Sequence, residues 1–167
     1  MERIKLDLKV SRLGIFLNIA AVIAFIGALS FILINWSTLP ESVPSHYNAL
    51  GEADDWGSRG VIFVPLAIGV LIWVLFSILE KYPHLHNYPE INEKNVTHMY
   101  KNSMLMLNVI KNELMIIFSF SAINDVFVSK GKGSLIGAWE MPIVLGLIFG
   151  TIFVFLLRTN RISKIRG

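Results

Sequence analysis

No cysteine occurs in the 167 residues, which excludes a disulfide framework, a thiolate metal site and a thiol nucleophile together. Segments outside the apolar regions must be held by turns and packing alone. Charge is scarce as well, with Asp, Glu, Lys and Arg at 16% of the chain against 54% hydrophobic residues. That balance, with a mean hydropathy of +0.60, is expected of a polytopic membrane protein and not of a soluble domain. Also missing are a Gly-x-Ser-x-Gly elbow, a His-Glu-x-x-His pair and a glycine loop that cradles phosphate, so neither an enzyme nor a bound cofactor is expected. No internal repeat or low-complexity segment is present. The small basic excess, a formal net charge of +3, does not imply nucleic acid, because the basic residues cluster at the ends of hydrophobic runs, where they act as topology signals.

What the chain does have is long hydrophobic runs. The first, residues 13–36, carries no charge. At about 1.5 Å per residue it reaches roughly 36 Å, enough to cross a bilayer with some tilt. It is too long for a cleaved signal sequence and reads as a retained signal anchor. The second, 61–79, holds Pro65 in its first turns, where a missing backbone donor does least harm, and ends at Glu80 and Lys81. The third, 104–128, follows a polar helical lead-in at 92–101 and is interrupted by Asn108, Lys111, Asn112 and Glu113. The fourth, 139–157, opens with Trp139, Glu140 and Pro142 and stops at Arg158. Gly146 with Gly150, and Ala20, Ala24 and Ala28, repeat small residues every four positions; they are read as close-packing faces within one subunit, with homodimerisation as the alternative.

The Lys and Arg count sets an orientation. Arg3, Lys5, Lys9 and Arg12 precede the first span, Lys81, Lys94 and Lys101 lie between the second and third, and Arg158, Arg161, Lys164 and Arg166 follow the fourth. The opposite side holds Arg59, Lys130 and Lys132. The positive-inside rule then places both termini and the middle loop in the cytoplasm, and residues 37–60 outside. The expected fold is an all-α membrane protein, a single four-span transmembrane domain over residues 1–167, built as a four-helix bundle with an ordered extracellular loop between helices 1 and 2.

That loop is the patterned polar segment. Pro40 and Pro44 push the residues before them out of the helical region, so residues 39–48 should be extended, with His46 and Asn48 on one side and Ser45 and Tyr47 on the other. Asn48 to Gly51 then reads as a turn, which brings Glu52, Asp54 and Asp55 back towards His46, with Arg59 placed to pair with one of them. Two uses stay open. In one the loop is a structural cap, with Trp56 and Tyr47 at the lipid headgroups. In the other His46, Asn48, Asp54, Asp55 and Arg59 bind a ligand. A metal is not expected, since one histidine with carboxylates falls short of a zinc set and lacks the spacing of a calcium loop. In the middle loop, His84, His86 and the more distant His98 likewise point to a partner-docking surface and not to a metal.

The spacing Leu-Pro-x-x-Val-Pro-x-His-x-Asn from Leu39, followed by Gly51-x-x-Asp54 and Trp56-Gly-Ser-Arg59, resembles the N-terminal module of the bacterial SdpI-type toxin-immunity proteins, a membrane module of unknown function. Asn87-Tyr88-Pro89 and Ile91-Asn92-x-x-Asn95 look like that family's approach to its third helix. Together the matches cover about the first two thirds of the chain. The sequence departs from the family at Ala53, where the family often has Pro, and the SdpI-type proteins continue with further membrane helices. The resemblance implies this module in a multi-pass protein of the bacterial cell membrane, and it is the main support for the reading that residues 39–60 recognise an extracellular peptide or toxin.

The third helix supplies the rival site. Asn108, Lys111, Asn112, Met115 and Ser119 share one face, which should point into the bundle. Lys111 and Glu113 lie about 200° apart and need separate partners. Lys111 is placed to snorkel to the cytoplasmic surface, and Glu113 to meet a donor such as Asn18. One reading puts both charges at the membrane interface; the other makes Glu113, with Asn18 and Asn112, a proton or ion step. The functions in competition are therefore a peptide-recognising immunity or sensor module, a small ion- or proton-coupled transport component, and an accessory subunit that packs on a membrane or cytoplasmic partner.

Overall fold

The first helix, α1 (Arg12–Asn35), begins where Ser11 accepts a hydrogen bond from the Gly14 amide at 3.0 Å, the standard side-chain cap for an orphan donor. The computed structural model describes residues 4–165. After α1 come two strands, β1 (Ser42–Tyr47) and β2 (Ala53–Ser58), and then α2 (Val64–Glu80), α3 (Val96–Ser129) and α4 (Glu140–Ser163). Four helices are long and apolar enough to cross a membrane. The protein is accordingly a multi-pass membrane protein. The helices alternate in direction, so one end carries the hairpin and the α3–α4 connection, and the other carries both termini and the middle loop.

The expected four-helix bundle is organised around α3: α1, α2 and α4 each pack on it, whereas α1 and α2 make little contact along their lengths. Its sequence explains why. Asn102, Asn108, Lys111, Asn112, Ser119, Asn124 and Asp125 are all buried on this helix, and a polar stripe in a bilayer must be covered by protein. The three other helices keep broad apolar faces for lipid. The predicted inward face of α3, from Asn108 to Ser119, is buried throughout.

Close approach is made by residues other than those expected. On α1 the buried positions are Gly14, Ala21, Ala28 and Ile32, a spacing of sevens and fours, while Ala20 and Ala24 lie half-buried at its margin. A Cβ on Gly14 would meet Asn108 Oδ1 at 3.0 Å, and one on Gly69 of α2 would meet Met115 Sδ and Phe118 Cβ at 3.3 Å. Gly146 and Gly150 of α4 have nothing within 4 Å of that position. The reading of Gly-x-x-x-Gly as a packing face within the subunit is thus overturned. The α4 helix also runs six residues past the expected stop, to Ser163, and Arg158 lies over the Phe155 ring one turn back, at 5.0 Å.

The all-α expectation needs a second correction, since the first connection closes into an antiparallel hairpin. The expected turn is there. Asn48 Oδ1 accepts from the Leu50 amide at 2.8 Å and the Glu52 amide at 3.1 Å, and Gly51 takes a positive φ of 72°. Two offsetting irregularities break the register, one between Pro44 and His46 and one between His46 and Tyr47. Strict alternation of the side chains is lost with it. Val43 and Pro44 are both buried although adjacent, and Ser45 and Tyr47 end in different surroundings. Val43, Leu39, Ile62, Leu66, Ala28, Ile32, Ala122 and Val126 form one apolar cluster, which seats the hairpin on the ends of α1, α2 and α3.

Candidate functional site

At the hairpin end, geometry separates the clamping residues from the presented ones. Tyr47 donates to Asp125 Oδ1 on α3 at 2.6 Å, and burial, then this carboxylate, pushes the Tyr47 hydroxyl well above the usual tyrosine range. The α3 terminus that carries Asp125 is fixed in turn: Gly131 has a φ of 71°, the Lys132 amide donates to Phe127 O and the Gly131 amide to Val128 O, a Schellman ending. Lys130 Nζ ties it to the end of α1 through Asn35 Oδ1 at 2.6 Å, and to Thr38 Oγ1 just beyond that end at 2.7 Å. The tip is seated as well, since a Cβ on Gly51 would lie 2.4 Å from Gly137 O in the α3–α4 connection.

The sequence-selected residues divide accordingly. His46 Nδ1 lies 2.6 Å from Asp54 Oδ1, with both side chains exposed, and Asp55 Oδ2 accepts from Ser45 Oγ at 3.0 Å. Asn48 is consumed by the turn it builds. Arg59 does not pair with a hairpin carboxylate: its Nη1 donates to Trp36 O at 3.3 Å and its guanidinium lies 4.7 Å from the Trp36 ring centroid. That stacking closes the hairpin base. Among the described residues no three His, Asp or Glu side chains converge as metal ligands would.

At the other end lies a buried polar network. Lys111 Nζ is 2.6 Å from Glu80 Oε2, with 3% and 5% of the two side chains exposed. The expectation that Lys111 snorkels outward is therefore overturned: the last residue of α2 turns inward to meet it. The same ammonium donates to Ser77 Oγ at 2.9 Å and lies 4.9 Å from the Trp73 ring centroid. Asn108 Nδ2 donates to both Glu80 oxygens, at 3.1 and 3.2 Å, and to Asn18 Oδ1 at 3.2 Å. Asn112 Nδ2 donates to Asn18 Oδ1 at 2.9 Å, and Trp73 Nε1 donates to Asn112 Oδ1 at 2.9 Å. Every helix but α4 contributes. Lys111 stands about 27 Å of helix rise from Ser129, so the network sits near the far boundary of a hydrocarbon layer roughly 30 Å thick.

Glu113 belongs elsewhere. Its Oε1 accepts from Thr151 Oγ1 of α4 at 2.6 Å, and its Oε2 is buried without a partner. The expected grouping of Glu113 with Asn18 and Asn112 does not form. Glu80 is the site residue that sequence reading missed, because a carboxylate at the end of a span looks like an interface marker; the one signal was an unpaired Lys111. Glu80 also lines two cavities, of about 390 and 490 Å³, that open between the N-terminal segment and the helices. In the middle loop, the Asn95 and Lys94 amides donate to Asn92 Oδ1, and Tyr100 Oη donates to Ile4 O, so that loop and the N-terminal segment are both laid against the start of α3.

Comparison with known proteins finds a likeness over part of the chain. An uncharacterized protein of Archaeoglobus fulgidus is 34% identical over 65 residues, a stretch that covers 34% of this chain and 36% of the relative. The chain thus matches about a third of that curated relative's length. No solved structure matches. A family model described as "Domain of unknown function (DUF1648)" matches residues 22–70, which run from the middle of α1 through the hairpin to the first turns of α2, so the part of this membrane protein that is similar to a known family is the part that builds and seats the hairpin.

Proposed function

We propose that this protein is a non-enzymatic membrane module that meets a cationic, membrane-active peptide through its hairpin on the outside of the cell, as the SdpI-type immunity proteins that it resembles would. The carrying observation is the division of labour in the hairpin. Val43, Tyr47 and Gly51 lock it to the ends of three helices and to the α3–α4 connection, while His46, Asp54, Asp55, Glu41, Glu52 and Trp56 remain exposed. A clamped scaffold that displays four carboxylates and an indole suits a basic amphipathic ligand, because little ordering entropy is lost on binding. The orientation follows the positive-inside rule: eleven Lys and Arg gather at the end with the termini and middle loop, against three at the hairpin end.

Growth of a sensitive bacterium under a panel of membrane-active peptides tests the reading. Wild type should protect, and His46→Ala with Asp54→Ala should lose most of that protection at equal expression. Equal sensitivity of cells with and without the protein would defeat it. A second reading, a proton- or ion-coupled component, is favoured by the buried Lys111–Glu80 pair beside two cavities. It predicts proton flux into liposomes that Glu80→Gln abolishes; vesicles no leakier than protein-free controls would exclude it.

A further inference from the structure

The cavity of about 390 Å³ beside Glu80 is bounded by Lys9 of the N-terminal segment, His98 and Lys101 of α3, and Arg158 of α4. Topology signals need only lie at one end of the molecule; these converge on one space from three separate segments. Glu80, the carboxylate in the wall, is already engaged by Lys111 and Asn108. Among the described residues, Lys9, Lys101 and Arg158 have no carboxylate partner. Three uncompensated cations around a concave space focus a positive potential and call for an anion. A second feature narrows its chemistry. Asn102 lines the same cavity, is 3% exposed, and keeps its Oδ1 buried without a partner while its Nδ2 donates to Phe155 O and Thr159 Oγ1. An unsatisfied acceptor closed off in the wall fits a ligand whose hydroxyl donor draws the amide round to meet it. Depth agrees, since Lys101 stands about 42 Å of helix rise from Ser129, past the far edge of a hydrocarbon layer roughly 30 Å thick and on the polar side of it.

We propose that this cavity binds a glycerophosphate group, its phosphate held by Lys9, Lys101 and Arg158 and a glycerol hydroxyl directed to Asn102. Phosphatidylglycerol, through its headgroup glycerol, or a soluble glycerol phosphate carries that group. The purified full-length protein in neutral detergent is titrated with phosphatidylglycerol, phosphatidylcholine and glycerol phosphate, with thermal unfolding as the readout. Phosphatidylglycerol should raise the midpoint, with an apparent affinity that falls on the order of fivefold for each charge removed in Lys9→Gln, Lys101→Gln and Arg158→Gln. Stabilisation by glycerol phosphate as well would assign the site to the soluble compound, and by phosphatidylglycerol alone to the lipid. An equal response to phosphatidylcholine, no response to either phosphate, or an unchanged response in the triple variant would overturn the proposal. The single variant Lys101→Gln, whose exposed side chain leaves the fold intact, keeps the test decisive if the triple variant unfolds.

Discussion

Lys111 and Tyr47 show what a single side chain can decide. Removing one member of a buried ion pair strands the other, so Lys111→Met should lower stability by about 3–5 kcal/mol, and adding Glu80→Gln to it should restore most of the loss. Thermal unfolding in detergent of the two single variants and the double one measures the coupling. Tyr47→Phe should cost about 1–3 kcal/mol by stranding the Asp125 carboxylate that accepts from it. The sign of its pH dependence follows from the raised Tyr47 pKa. The unfolded chain ionises this tyrosine near pH 10 and the folded chain does not, so the stabilising share is complete below about pH 10 and declines above it. Melting curves from pH 8 to 11 should therefore show a smaller alkaline loss for Tyr47→Phe than for wild type. Sequence alone exposed the ingredients of these sites and not the pairing. That Lys111 needed a partner was legible from its place in an apolar run, yet Glu80 lies 31 residues away on another helix, and no periodicity connects them.

Among the elements, the four spans and the extended–turn–extended loop were legible because hydrophobic run length and Pro, Asn and Gly chemistry are local. The inward face of α3 was legible too, since a polar stripe in a bilayer has one sensible direction. Which small residues make the close approaches was not, because that depends on how α1 and α2 dock on α3. Gly69→Leu should cost about 1–3 kcal/mol by forcing Met115 and Phe118 apart, whereas Gly150→Leu should leave the melting of the isolated subunit unchanged. Gly51→Ala joins a positive φ to a backbone collision at 2.4 Å, and should free the hairpin, seen as faster protease cleavage within residues 42–58 while the helical signal persists.

For the molecule as a whole, topology is the prediction most open to test, because a cysteine-free chain accepts single reporters. A membrane-impermeant maleimide applied to intact cells should label Asp54→Cys, and should reach Lys164→Cys only after permeabilisation; the reverse pattern would invert the protein and with it the peptide-recognition reading. The dependence of every other helix on α3 also reaches back to synthesis. Since α1 and α2 make little contact along their lengths, the first half of the chain leaves the ribosome as two spans without a partner, and Glu80 must wait at the membrane surface until Lys111 has been translated. The nascent protein therefore gains most of its helix packing in one late step, and a chain truncated between residues 80 and 111 would hold a stranded carboxylate, a mark by which a quality-control protease could tell the unfinished protein from the finished one.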